Sequence, residues 1–404
     1  MNYLEGVKKI GKNVRALVIS NVLISIGMGV FFVLFNIYLK AIGVSGTQIG
    51  LINGAMSLGT GIFAYFAGII SDEIGRKRSF LLSAVTVSSF FFLISVSKTV
   101  PVFIVSALGI GMGNALFLVS NHPFILENTE DTERTYAYSF IMASLFFGEF
   151  IGDIVGGFLP GLFGGSTYAM KLSLITSSIL IASGIIPIFF ISEEWVKRET
   201  KSALEKLVFP FKVLVKYKEK INIVLTFVGA QILIGLGAGC VVPFFNLYFK
   251  ERFRMPVKEI GIVFSVGSIV IMLGSLLAPI FRNKFGKLKG FIIIQSLSLP
   301  FVLLLAFTRK VWVAIVSFLT RSTLMNMAVP IETQLYMESV PEEARASMSS
   351  FMEIAWNLSW TVAAPFAGFV MQRKGFTPLF LIMFAFYICG ISLLYFSLRG
   401  KVNE

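Results

Sequence analysis

The chain has 404 residues, of which 56% are hydrophobic and only 14% charged, with a mean hydropathy of +0.83. Soluble globular proteins carry about a quarter charged residues, so this composition excludes a soluble domain and requires an integral membrane protein. The formal net charge of +13 would suggest a nucleic-acid partner in a soluble protein, but here the basic residues sort by membrane side and no nucleic acid is expected.

Twelve apolar segments follow in chain order, at 14–39, 46–70, 79–97, 101–126, 136–160, 168–192, 222–249, 257–281, 289–307, 311–334, 346–371 and 375–398. Each is long enough to cross about 30 Å of hydrocarbon as a helix, which predicts an all-α membrane protein with the lipid bilayer as its first partner. The first segment follows Lys8, Lys9, Lys12 and Arg15 and lacks a small-residue cleavage site behind a short apolar core. It is expected to be a retained helix rather than a signal peptide. With the N-terminus in the cytoplasm, Arg76, Lys77, Arg78, the run from Lys197 to Lys220, the group Arg282, Lys284, Lys287 and Lys289, and the tail Arg399 and Lys401 all lie inside. Roughly two-thirds of Lys and Arg are then cytoplasmic, which predicts a multi-pass plasma-membrane protein with both termini inside. The stretch from Lys250 to Arg254 is an exception, basic on the outer side. Cys240 and Cys389 fall inside predicted helices and are read as small apolar core residues, with no disulfide and no metal spacing.

The chain repeats itself. Ile26-Gly27-Met28-Gly29 with Phe35-Asn36-Ile37-Tyr38-Leu39-Lys40 recurs 210 positions later as Leu236-Gly237-Ala238-Gly239 with Phe245-Asn246-Leu247-Tyr248-Phe249-Lys250. After one inserted residue the offset becomes 211, pairing Gly75 with Gly286, Glu127 with Glu338 and Arg134 with Arg345. This register predicts two pseudo-symmetric six-helix halves, 1–195 and 221–404, joined by a cytoplasmic linker at 196–220. The linker contains an amphipathic stretch, Ala203 to Phe209, suited to the inner membrane surface.

Between the second and third segments stands Gly68-Ile-Ile-Ser-Asp72-Glu-Ile-Gly75-Arg76-Lys77-Arg78. It resembles the signature loop between helices 2 and 3 of the major facilitator superfamily, with Gly68, Asp72, Gly75, Arg76 and Lys77 at the matching places and Glu73 where the family usually has Arg. The overall pattern is closest to the bacterial drug:proton antiporter branch. The resemblance implies a transporter built from parallel repeats, with the substrate site at their interface near the bilayer midplane. It also implies that Asp72 caps the start of span 11, near residues 346–350, in one of two conformations and so biases alternating access. The bland alternative is a topological anchor. Asn283 stands at the equivalent place in the second half, so the latch is expected to be charged on one side only. Similar transporters pair an acid with the signature-loop Arg, which assigns Glu127 to Arg76 and leaves Arg134 to hold the start of span 5. Glu338 and Arg345 repeat the arrangement, and all four are expected to serve structure or gating.

Span 5 carries Gly148, Gly152 and Gly156 at four-residue spacing, and Gly152-Asp153-Ile-Val-Gly156-Gly157 resembles the Gly-Pro-any-any-Gly-Gly element of the superfamily's antiporters, with Asp153 in place of the proline. The glycines are explained by close helix packing. Glu149 and Asp153 share one helix face near mid-membrane, where an ionised carboxylate costs about 2.5–3.5 kcal/mol or more. Proton exchange and a structural hydrogen bond or ion pair are the competing readings. Arg321, in the middle of span 10, is expected to find a partner among Glu149, Glu332 and Glu353. It then either tunes an acid or waits for an anionic substrate. Proton-coupling candidates are thus Glu149, Asp153, Glu353 and Arg321.

Glu353, Trp356, Asn357 and Trp360 share a face of span 11, and an acid, an amide and two indoles suit an organic cation; packing of the indoles against neighbouring helices is the plain alternative. Asn114, Gln231, Asn246 and Asn326 add amides on spans that line the cavity in similar transporters. His122, the only histidine, is either a pH sensor or a hydrogen-bonded helix-end residue.

No phosphate-binding glycine loop, nucleophile elbow or metal-ligand motif is present, so neither an ATP-driven pump nor an enzyme is expected, and no cofactor. The expectation is an ion-driven secondary transporter, acting as a monomer with protons and a small-molecule substrate as partners. Proton-coupled efflux of lipophilic or cationic organic compounds is its first form. Uptake or exchange of a small anionic metabolite is the second, and a lipid-moving or receptor-like protein without proton coupling is the reading from another class.

Overall fold

The computed structural model describes residues 11–193 and 220–399, and the linker with its amphipathic stretch lies outside the described residues. Among those described there are twelve helices long and apolar enough to cross a membrane, and no strand. They are α1 (Lys12–Ala41), α2 (Gly46–Ile74), α3 (Arg76–Val96), α4 (Val100–Asn128), α5 (Asp131–Leu162) and α6 (Thr167–Phe189), followed by α7 (Ile221–Arg252), α8 (Val257–Phe285), α9 (Lys287–Phe307), α10 (Val311–Glu338), α11 (Arg345–Lys374) and α12 (Thr377–Leu398). Large apolar side chains such as Ile62, Leu225 and Val362 stay 55–65% exposed, which water would penalise and lipid tails accept.

The repeat is not copied in every helix. In α7 a 3-10 turn at Val242–Phe244 divides Ile221–Val241 from Phe245–Arg252, whereas α1 runs unbroken. Pro243 supplies no backbone N–H to the ladder, and its repeat partner is Val33. Likewise α8 is interrupted between Ser275 and Ala278 ahead of Pro279, where α2 has Gly68 and continues.

Two compact units emerge among the described residues. The first comprises 11–44, 55–193 and 249–269; the second comprises 45–54, 220–248 and 270–399. Glycines create the tightest approaches inside each. In the first unit a Cβ placed on Gly148, Gly152 or Gly156 of α5 comes within 2.2–2.8 Å of Ser25, Ile26 or Val30 on α1, and one on Gly29 of α1 comes within 2.8 Å of the α5 backbone at Glu149 and Asp153. The four-residue glycine spacing is therefore a packing seam, and it fixes the two carboxylates beside α1. Gly261 of α8 approaches Asp153 and Gly157 in the same way, at 2.5 and 2.6 Å. In the second unit Gly46, Gly50 and Gly54 meet Gly368, Ala364 and Thr361 of α11, at 2.2–2.8 Å.

Candidate functional site

The signature loop builds a charged cluster at one end of the first unit. Gly75 takes φ +89° and starts α3, and its repeat partner Gly286 takes φ +79° and starts α9. Both occupy a backbone region that side chains avoid, which explains the glycine in both copies of the motif. Arg76 is buried and its guanidinium reaches Asp72 at 3.0 Å, Glu127 at 3.3 Å and the Ser71 hydroxyl at 2.7 Å. The backbone N–H groups of Arg76 and Lys77 donate to the Glu193 carboxylate at 2.6 and 2.8 Å, an anion at a helix N-terminus. Glu193 was not anticipated, because a residue 117 positions away in sequence gives no local signal.

The second unit repeats the ion pair with different residues. Lys287 stands at the repeat position of Arg76 and donates to Glu338, the repeat partner of Glu127. Gln334 also donates to Glu338, at 2.6 Å, and Arg345 at the start of α11 donates to the Met337 carbonyl at 3.2 Å. Arg134 lies in the first turn of α5, its amide bonded to the Glu130 carbonyl at 3.0 Å. Gly68 lies in α2 with only ordinary room against Val119, 3.5 Å from a placed Cβ, so space alone does not demand glycine there.

The two copies differ in burial, with Arg76 and Lys287 side chains 6% and 25% exposed. Arg76→Ala removes a buried guanidinium and takes a cationic partner from both Asp72 and Glu127, so it is expected to destabilise by about 3 kcal/mol or more. Lys287→Ala breaks an open surface pair and is expected to cost only about 0–1 kcal/mol. Thermal unfolding of both variants in detergent tests the difference, and equal losses would refute it.

Each unit also holds a partly open cavity. That of the first unit, ≈ 270 Å³, is lined by Asn21, Ser25, Thr60, Asn114 and Glu149 among others. Glu149 faces this space, while Asp153 one turn on is 5% exposed and accepts from the Ser268 hydroxyl at 3.1 Å. The shared helix face thus divides into a cavity carboxylate and a packed one. Asn21, 1% exposed, has neither amide atom bonded among the described residues. His122 sits opposite Tyr138, its Nδ1 3.3 Å from the phenol, the helix-end arrangement expected as one alternative.

The cavity of the second unit, ≈ 450 Å³, gathers Gln231, Gln295, Arg321, Asn326, Glu332, Glu353, Trp356, Trp360 and Tyr387. The indoles of Trp356 and Trp360 lie 5.5 Å apart at 44°. Arg321 is 4% exposed, and its expected carboxylate partner is a correction: the guanidinium donates to the Tyr387 hydroxyl and lies over the rings of Phe245 and Tyr387, at 6.0 and 5.6 Å. Glu332 is eleven positions along the same helix, about 16 Å by helical rise, so it faces the same way without touching. Tyr387 had no motif to announce it.

Two predicted amides lie elsewhere. Asn246 is 2% exposed and its side-chain oxygen accepts from the Leu247 amide, while Asn357 donates to the Glu353 carbonyl at 2.9 Å. Neither lines either cavity, so of the four residues expected on one face of span 11 the second cavity takes Glu353, Trp356 and Trp360 but not Asn357. Cys240 is buried and Cys389 exposed, so only the first is a core residue.

The profile of the Major Facilitator Superfamily matches residues 17–230 and 227–404. The chain is 24% identical over 312 residues to Quinolone resistance protein NorA of Staphylococcus aureus (strain MSSA476), covering 76% of this chain and 77% of that protein. It is 22% identical over 280 residues to Multidrug resistance protein 2 of Bacillus subtilis (strain 168), covering 68% of each. Its fold is similar to a bacterial homolog of the human lysosomal transporter Spinster, with TM-score 0.77 and 14% identity over 96% of both chains. It is also similar to a D-xylose-proton symporter, with TM-score 0.75 and 16% identity over 97% of this chain and 98% of the other.

Proposed function

The chain belongs to the major facilitator superfamily of membrane transporters, and on that premise we propose that it exports lipophilic or cationic organic compounds by alternating access, driven by the proton gradient. The observation that carries this reading is the ≈ 450 Å³ cavity in which two indoles and two carboxylates, Glu332 and Glu353, converge. Indole faces and acids together attract a flat, amine-bearing ligand through stacking and charge. Its similarity to proteins named for resistance to quinolones and to multiple drugs supports a reading in which organic compounds are moved out of the cell. Glu149 is the proposed proton-exchanging group: it is a carboxylate facing a cavity among amides and hydroxyls, with no basic partner among the described residues. In this reading both termini are cytoplasmic, the carrier is a monomer of the plasma membrane, and the Asp72 loop biases the two access states.

A second reading, uptake of a small anionic metabolite, is favoured by Arg321 in the same cavity. Accumulation of fluorescent xanthene amines in an efflux-deficient bacterial host separates the two. Cells expressing the protein are expected to hold less dye than empty-vector cells, and a protonophore should erase the difference. Equal accumulation of every dye in both strains sinks the efflux reading.

A further inference from the structure

The cavity of the second unit is charged at both ends. Counted from the end shared by α10 and α11, Glu332 and Glu353 stand about 9 and 12 Å along their helices, whereas Arg321 and Trp360 stand about 26 and 22 Å along. The acids therefore share one level and the guanidinium another, with Trp356 between them. Four buried polar atoms of the lining have no partner among the described residues: Arg321 Nε, Trp360 Nε1, Gln295 Oε1 and Glu332 Oε1. Unmet groups of this kind are costly, and both donors lie at the basic level. Tyr387 uses one guanidinium nitrogen, and among the described residues no carboxylate reaches the others. A guanidinium presents five N–H donors in a planar fork suited to a carboxylate.

We propose that this cavity is a dipolar site for flat zwitterions: an anionic group docks on Arg321 beside the Trp360 N–H, the ring system lies against the indoles, and an ammonium faces Glu332 and Glu353. The inference rests on the reading that the chain moves lipophilic organic compounds, and it narrows that class. A ligand carrying only a cation leaves the Arg321 level unsatisfied. One carrying only an anion faces two uncompensated carboxylates. A zwitterion meets both and enters with no net charge.

The test uses the purified protein in lipid nanodiscs and three forms of one fluorescent coumarin dye that carries an aminomethyl group at one end and a carboxyl group at the other: the zwitterionic amino acid, its cationic methyl ester and its anionic N-acylated acid. Binding is read by fluorescence polarisation. The free acid is expected to bind at least about tenfold tighter than either derivative, the gain of one charge-assisted contact at each end. Arg321→Gln should bring acid and ester to equal affinity, and Arg321→Lys, which keeps the charge, should retain a preference for the acid. Glu332→Gln combined with Glu353→Gln should weaken the two amine-bearing forms and strengthen the N-acylated one. Ester binding as tight as acid binding by the wild type overturns the dipolar site while leaving lipophilic export intact. Failure of all three dyes to bind overturns both.

Discussion

Glu149→Gln is expected to reduce gradient-driven export to the empty-vector level while leaving the protein folded. The reason is positional. Glu149 faces the cavity of the first unit, flanked by Asn21, Ser25, Thr60 and Asn114, where no Lys or Arg lines the space to hold it ionised. Glutamine preserves size and hydrogen bonding but cannot release a proton, so it mimics the neutral acid permanently. Proteoliposomes with an imposed pH gradient measure the effect directly. Wild-type transport should follow the size of the gradient, while the variant should ignore it and still exchange substrate across the membrane at equal pH. Asp153→Asn is the companion variant. Asp153 is packed under α1 and α8 and accepts from Ser268, a hydrogen bond an amide oxygen can also accept, so driven export should survive. A live Glu149→Gln with a dead Asp153→Asn would move the coupling role to the packed residue.

The second large effect concerns the α1–α5 seam. Gly152→Ala should destabilise the protein by about 1–3 kcal/mol or more, because an added methyl cannot be absorbed where backbone meets backbone. The placed Cβ lies 2.2 Å from the Ile26 carbonyl oxygen and 2.9 Å from its carbon, and neither is the mobile end of a side chain. Relief requires α1 and α5 to separate, which also moves Glu149 and Asp153. Gly161→Ala, on the same helix with nothing within 4 Å of its Cβ, should leave the unfolding temperature unchanged. Thermal unfolding of the two variants in detergent is the measurement, and an unaffected Gly152→Ala would mean the seam is looser than drawn.

Much of the architecture was legible along the chain, since lipid demands long uninterrupted apolar helices and leaves them visible. The breaks in α7 and α8 were not read ahead of the structure, although Pro243 and Pro279 mark both and their repeat partners Val33 and Gly68 lack them. The Glu127–Arg76 contact followed from the family pattern, and the same register contained Lys287 with Glu338. The amides fared less evenly: Asn114, Gln231 and Asn326 line cavities, whereas Asn246 is bonded to its own backbone neighbour.

By itself the sequence determined the membrane environment, the twelve helices, the internal repeat and the family, because hydrophobic length and a fixed offset are properties of residues in order. The tertiary structure alone decided which charges meet. Periodicity states which face a side chain occupies but not which helix lies opposite, so Glu149 and Asp153 looked equivalent until α8 closed over the second of them. For the same reason Arg321 was matched to acids nearby in pattern, while the hydroxyl that holds it comes from Tyr387, 66 positions away.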